Sequence, residues 1–509
     1  MKIILLITVL LFGIANSQPL GVTDVFVSSG GDHPRGVNGG KERAVSHIDN
    51  SGILGNVFMA QQRSSDHSKL SAQFEGLQDV PGVSYGLYIL EYPTNHDALK
   101  PCDDLGDIYD PDGNLGTFNY SERCQANHLH CAIGDLVTRH GGFNSTDGFI
   151  NFGRDYNLPI YGPRSVVGRS IVVRRFDGDD SNLACSNIEV PTQSRVLRGR
   201  FSHVLSGDVL IILPRYDYFD YTKNERTLIF MNLERTDAGP PNTNMHGWQI
   251  QHGYADPENM CDRLHPVLGR RIIGEDICSQ SYHHTCPLGD LTAKCGTLSV
   301  VNRHMRAFCT DNQLGLVPFS TLNQTVLRIL APLSNLTMEC VQLEEQHPSG
   351  AIINFRNLST QPAVSVDVVF SQLTQFHPIY YRTHIIKLNG DAANLIVYDG
   401  DNPDLNTCTN LGDVLGRKGT VANPRTCDQF PAGELGPKIG CLKGKQELHT
   451  YGLTSSIPIS DIIGKPVALT RLDGTIWGCG KVQDYYNAPY SLPDNVVDYL
   501  DIWKPLSSC

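Results

Sequence analysis

A chain of 509 residues is too long for one hydrophobic core and predicts about three domains. Its formal net charge of −12 argues against nucleic acid or an anionic membrane as a general partner, because the long-range field repels both. The 15 cysteines point to disulfides and therefore to an oxidising, extracellular compartment.

The first residues, MKIILLITVLLFGIANSQ, carry Lys2, an apolar run from Ile3 to Ile14, and the small residues Ala15 and Ser17. This pattern predicts a signal peptide over 1–17, since the run is too short to span a bilayer. Residues 18–51 are rich in Gly and polar side chains and read as a flexible N-terminal segment, as do 487–509 at the other end. No later stretch reaches the ~18 apolar residues of a membrane helix, and the tail YLDIWKPLSSC is too polar for a lipid-anchor signal. The expectation is a secreted protein with no membrane anchor.

Between those ends the chain aligns on itself three times, over 52–192, 193–345 and 346–486. CDDLGDI (102–108), CDRLHPV (261–267) and CTNLGDV (408–414) share a cysteine, a leucine and a final branched apolar residue. CAIGDL (131–136) and CPLGDL (286–291) follow, with PAGELG (431–436) as a looser third copy. SVVGRSIVVRRFDG (165–178) matches SDIIGKPVALTRLDG (460–474), with STLNQTVLRI (320–329) in the equivalent place. Each copy then ends on a cysteine: Cys185, Cys340 or Cys479.

Inside each copy the segments read as strands. GLYILEY (86–92), SIVVRRF (170–176), VLIILPRYDY (209–218) and SVDVVFSQL (365–373) are short, rich in β-branched and aromatic residues, and bounded by turn formers. With 48 glycines, 29 prolines and no long apolar period of 3.6, the chain is expected to be an all-β sandwich or barrel. Cysteine order suggests that the opening and closing cysteines pair, Cys102 with Cys185, Cys261 with Cys340 and Cys408 with Cys479. Local pairs Cys124–Cys131, Cys278–Cys286, Cys295–Cys309 and Cys427–Cys441 use the others. Cys509 is left over, for an intermolecular disulfide or as a free thiol. Sequons at Asn119, Asn144, Asn323, Asn335 and Asn357 are glycosylation candidates.

The order Gly-aromatic strand, Cys turn, Gly-Asp-Leu, Gly-Arg strand and Leu-Ala-Cys resembles the copper/zinc superoxide dismutase domain. The tandem secreted form resembles the animal extracellular copper-only superoxide dismutase repeat proteins. The resemblance spans about 52–486 and is closest in VVGRSIVVRRFDGDDSNLAC of the first copy. It implies tandem Greek-key β-barrels, each with a disulfide tying a long loop to the last strand. It also implies copper held by four histidines: two on one strand, one six residues after the loop cysteine, and one ending the strand after Gly-Arg. Imidazole nitrogens suit a metal that cycles between oxidation states.

Carried onto this chain, those positions fall on Tyr88, Leu90, Ile108 and Arg174 in the first copy. In the second they fall on Gln249, Gln251, Val267 and Ile329, after the family's structural His-Gly at His246-Gly247. In the third, THIIKLNGD gives His384 with Ile386 or Ile385 with Lys387, then Val414 and Thr470. The family's substrate-guiding arginine, three residues before the closing cysteine, is Asn182, Thr337 or Ile476 here.

Asp135 and Asp290 occupy the place of the family's zinc aspartate, near His128 and His130, and His283 and His284. A zinc centre would need three or four converging ligands, whereas a turn needs only an aspartate accepting backbone N–H bonds. Tyr216, Tyr218, Phe219 and Tyr221 in PRYDYFDY could form an exposed binding surface or alternate into a core. No H-E-x-x-H motif occurs. The expected function is non-catalytic and without a metal cofactor: an extracellular binding or structural protein whose partner is another extracellular protein or matrix component. The rival is a metal-handling protein or residual dismutase that binds copper or zinc through other residues.

Overall fold

The computed structural model describes residues 42–485 apart from short internal stretches, the longest being 215–226 and 417–430. The stretch 1–17 expected as a signal peptide, the C-terminal tail with Cys509, the aromatic run at 216–221, His283, His284, Lys387 and the expected Cys427–Cys441 pair lie outside the described residues. The described chain is mostly β-strand, cross-linked by disulfides.

In the first segment the strands are β1 (Glu42–Asn50), β2 (Ile53–Gln61), β3 (Ser68–Glu75), β4 (Tyr85–Ile89), β5 (Ile150–Asp155), β6 (Ser170–Arg175) and β7 (Asn182–Asn187). They form two sheets, β1-β2-β3-β5 and β4-β6-β7, bridged where Val45 meets Glu189. The second contains β8 (Ser194–Ser202), β9 (Leu205–Pro214), β10 (Thr227–Arg235), β11 (Thr243–His246), β12 (Trp248–His252), β13 (Leu298–Val301), β14 (His304–Asp311), β15 (Thr325–Leu330), β16 (Thr337–Gln342) and β17 (Glu344–Gln346). Its sheets run β11-β13-β14-β10-β9-β8-β17 and β12-β15-β16. The third contains β18 (Ser349–Asn357), β19 (Val364–Gln372), β20 (Ile379–Ile386), β21 (Ala392–Val397), β22 (Glu447–Thr454), β23 (Pro466–Arg471) and β24 (Ile476–Asp484). Here one continuous sheet runs β21-β23-β24-β18-β19-β20-β22.

Residues 42–50 were expected to belong to a flexible segment, yet they form β1, with Ala44–Asn50 buried. The polar side chains Ser46, Asn50 and Asp49 disguise this strand in the sequence, although alternate positions Ala44, Ile48 and their partners in β2 close the core. Elsewhere the alternation is plain. In β3, Leu70, Ala72 and Phe74 point inward while Lys69 and Gln73 face solvent, the period of two that a pleated strand imposes.

Apolar side chains cluster separately in each segment: around Val57, Leu87, Ile133 and Ile171 in the first; Val209, Trp248 and Leu327 in the second; Val366, Val397 and Trp477 in the third. A further cluster joins them. Val196, Leu210, Ile212 and Phe230 of the second segment pack on Leu373, Phe376 and Tyr380 of the third, with Tyr92 of the first at the edge. Phe230 and Phe376 meet edge-to-face, 4.3 Å between centroids. The Arg169 guanidinium of the VVGR motif lies 3.5 Å from the Tyr109 ring centre and 4.6 Å from that of Phe308, tying the first segment to the second.

Candidate functional site

The repeated cysteine turn and the Gly-Asp-Leu motif meet on the same strand. In the first segment Tyr109 N donates to Ile89 O at 2.9 Å, Ile89 N donates to Gly134 O at 2.9 Å, and Gly134 N donates to Tyr109 O at 2.8 Å. The same three-way backbone clasp links Leu268, Ile250 and Gly289, and again Leu415, Val397 and Gly433. A side chain on the glycine would collide with the carbonyl oxygen of Ile89, Ile250 or Val397, so only glycine can complete the clasp. The branched residue that ends each cysteine turn then pairs with the strand's end: Ile108 with Leu90, Val267 with Gln251, Val414 with Tyr398.

These pairings locate the positions where the resemblance places copper ligands. In the first segment Leu90 is buried with Leu105, Val172 and the Cys102–Cys185 disulfide, and Tyr88 and Ile108 pack at the edge of that cluster. The Arg174 guanidinium lies 5.1 Å over the Tyr88 ring, and its Nε donates to Asn182 Oδ1 at 2.7 Å. Asn182 Nδ2 donates in turn to Cys102 O at 2.8 Å. The fourth ligand position and the guiding position are thus hydrogen-bonded to each other and to the turn. Leucine and isoleucine have no lone pair to give, and a guanidinium is a cation without an acceptor. The residues do not fit copper.

Register corrects three of the positions expected from sequence. Arg174 faces Asn182 across a bulge, and the same bulge sets Leu330 opposite Thr337 and Thr470 opposite Ile476. The fourth position in the second segment is therefore Leu330, one residue beyond Ile329. In the third segment the strand equivalent to β4 is β21, where Ile396 and Tyr398 occupy the ligand positions. His384 lies on β20, in register with Asp367 of β19 and His449 of β22, away from the clasp. NLIVYDG (394–400) carries the same alternation as GLYILEY, a signal that the conspicuous histidine of THIIKLNGD overshadowed. With these corrections none of the positions carries histidine. Gln249 and Gln251 face one another, with Nε2 of Gln251 3.4 Å from Oε1 of Gln249, and Thr470 Oγ1 donates to Asn394 O at 3.2 Å.

At the zinc-aspartate position, Asp135 caps the short helix α1 (Leu136–His140). It accepts from Thr138 N at 3.0 Å, Thr138 Oγ1 at 2.7 Å and the Tyr120 hydroxyl at 2.9 Å. Asp290 caps α2 (Leu291–Cys295) by accepting from Ala293 N at 3.1 Å. His128 and His130 lie on a 3₁₀ turn beside the Cys124–Cys131 disulfide; His130 is exposed, and His128 meets His140 edge-on at 6.1 Å. Among the described residues no group of three or more His, Cys, Asp or Glu converges as a metal site.

Sequence reading missed what stands under this turn. Four residues after the acid of GDLVTR, GDLTAK and GELGPK is a cation, Arg139, Lys294 or Lys438, and each is buried. Arg139 Nε donates to Asp155 Oδ2 at 2.9 Å, and its Nη atoms donate to the carbonyls of Ala132 and Ile133. His140 Nε2 lies 2.8 Å from the same carboxylate oxygen. Burial alone would raise the Asp155 carboxyl, but the His140 hydrogen bond and the Arg139 charge hold it below its ordinary value. Lys294 likewise bonds Asp311 and, at 2.6 Å, Leu288 O. The cation ties the loop bearing the aspartate to the neighbouring strand.

Besides Cys102–Cys185 and Cys124–Cys131, the structure contains Cys261–Cys340, Cys278–Cys286, Cys295–Cys309 and Cys408–Cys479. Asn119, Asn144, Asn323 and Asn335 are exposed; the side chain of Asn357 lies outside the described residues. His246 is buried between Thr243 Oγ1 at 2.7 Å and Leu330 O at 2.9 Å, and burial lowers its pKa.

No helix among the described residues is long and apolar enough to cross a membrane. No family model matches the chain. Among curated proteins it is 29% identical over 150 residues to the extracellular superoxide dismutase [Cu-Zn] of Onchocerca volvulus, a match that covers 29% of this chain and 67% of the relative. This is a distant, partial similarity to the copper/zinc superoxide dismutase family.

Proposed function

We propose that this is a secreted array of three superoxide dismutase-like Greek-key barrels, over about 42–192, 193–345 and 346–486, that serves as a non-catalytic extracellular binding or structural protein. The observation that carries this reading is the filling of the copper position by Leu90, Ile108 and the hydrogen-bonded Arg174–Asn182 pair. The recurrent strand order and the 29% identical relative support the barrel assignment. The cysteine count and the apolar leader support secretion. Apolar side chains exposed on loops, with Phe118 88% accessible, fit a scaffold that presents loops to another extracellular protein or to matrix.

The test is metal content and superoxide consumption of the purified secreted chain after copper and zinc loading and desalting. Substoichiometric metal and no consumption above buffer are expected. Stoichiometric copper, with consumption lost on His384→Ala, would overturn the reading.

A further inference from the structure

The first and third segments meet on ionisable groups that the proposed role does not use. β1 contributes His47 and Asp49, the loop after β4 contributes His96 and Asp97, the residue two beyond β7 is Glu189, and the turn between β19 and β20 contributes His377. His47, Asp49, Glu189 and His377 are buried. His47 Nδ1 lies 2.8 Å from Asn56 Oδ1, and Thr374 Oγ1 lies 2.7 Å from His377 Nδ1. His377 Nε2 lies 3.9 Å from Glu189 Oε2 across the junction. Further crossing contacts run from His96 N to Gln375 O at 2.8 Å, from Gln372 Nε2 to Asp97 Oδ1 at 3.4 Å, and from Thr454 Oγ1 to Asp49 Oδ2 at 3.2 Å. Asn187 Nδ2 donates both to Thr94 O, at 2.9 Å, and to Phe376 O. Both ring nitrogens of His96 are enclosed without a hydrogen-bond partner among the described residues.

We propose that this junction is a pH-gated latch, closed near neutrality and released when acid places protons on His47, His96 and His377. Burial makes a proton on any of the three imidazoles costly, most plainly on His96, whose ring nitrogens have no hydrogen-bond partner among the described residues, and opening removes that cost. Burial lowers His96 to about 4 and His377 to about 3, and the neighbouring imidazoles add to both shifts. Burial also lowers His47, with the Asp49 carboxylate partly offsetting it.

For these bases the released form binds protons from about pH 6.5 and the closed form only well below, so acidification favours opening. Glu189 works the other way. Burial keeps it protonated up to about 8, whereas exposed it ionises near 4.5, so rising pH favours opening. Burial, with Asp461 nearby, pushes Asp97 in the same direction as Glu189, while its Gln372 hydrogen bond opposes this. Below pH 6.5 the three histidines outnumber the two carboxyls, and above it only the carboxyls act, Glu189 foremost. The latch is therefore tightest near pH 6.5. Release would withdraw Tyr92 from the edge of the cluster that Leu373, Phe376 and Tyr380 form with the second segment.

Hydrogen exchange of the full chain, corrected for the intrinsic pH dependence of exchange, reads the latch directly. Protection of the segments containing 45–56, 94–97 and 372–380 should fall at least about 30-fold between pH 6.5 and 5, the effect of one net proton over 1.5 units. Protection of 209–213 and 327–341 in the second segment should hold. Glu189→Gln should abolish the loosening between pH 7 and 8.5 and keep the acid limb, and His96→Phe should flatten the acid limb. Unchanged junction protection at pH 5, equal loss in all segments, or a wild-type profile in both variants would overturn the latch.

Discussion

Replacing Arg139 by Met should selectively loosen the first segment. Both Arg139 and Asp155 have fully buried side chains, so the substitution leaves the carboxylate facing a neutral thioether. It also deprives the carbonyls of Ala132 and Ile133 of donors, just beyond the loop closed by Cys124–Cys131. Breaking a buried pair by removing one partner costs about 3–5 kcal/mol. Three packed segments can open in separate steps, so the measurement is segment-resolved hydrogen exchange rather than one melting curve. Protection should fall in β3, β4 and β5 while the second and third segments retain theirs. The charge argument adds two conditions. Arg139→Met with Asp155→Asn should recover about half of the loss or more, because the uncompensated charge is gone. And since Asp155 is held below its ordinary 3.8, its contribution is present above that pH and lost as pH falls through the lower folded value, so the variant's deficit should shrink in acid. A deficit below about 1 kcal/mol, or one indifferent to both Asp155→Asn and pH, would refute the ion pair as the tie.

Gly134→Ala should cost about 1–3 kcal/mol by driving a Cβ into the Ile89 carbonyl, with Gly289→Ala and Gly433→Ala acting alike, measured by exchange of the clasped amides. Removing the 83-residue link with Cys102→Ser and Cys185→Ser together should cost about 2–5 kcal/mol, read as lost exchange protection in the first segment. His246→Ala should destabilise β11 and β12 by about 1–3 kcal/mol by orphaning the Leu330 carbonyl. Because burial depresses the wild-type imidazole, its native neutral form is favoured less as pH falls below about 6.5, so wild type and variant should converge in acid.

Much of the fold was legible because it rests on local rules. GLYILEY, SIVVRRF and SVDVVFSQL alternate or run apolar at strand length, and they form β4, β6 and β19. Two things were hidden for identifiable reasons. β1 carries Ser46, His47, Asp49 and Asn50, which read as loop; His47, Asn50 and Asp49 find partners in Asn56, Cys185 and Thr454 that only the tertiary fold supplies. The third ligand strand was misplaced because one histidine outweighed the spacing of NLIVYDG, and register shows the spacing to be the sounder guide. Packing between segments was equally invisible, since Phe230, Phe376 and Arg169 reveal their partners only in three dimensions.

The parts that recur suggest what the chain needs from each unit. Each segment holds this loop with the same three groups: the glycine clasp, an acidic residue at the turn, and a buried cation four residues on. The cation is informative because a buried charge is costly and apolar replacements often do as well for stability alone. Arg139 donates to two loop carbonyls as well as to Asp155, and Lys294 to a loop carbonyl as well as to Asp311, so each fixes the path of the loop, which an apolar side chain of equal volume could not. With Ile108, Val267 and Val414 then closing the strand ends, the cysteine turn is a structural fastening, and the proposed binding role falls to the loops that project beyond it.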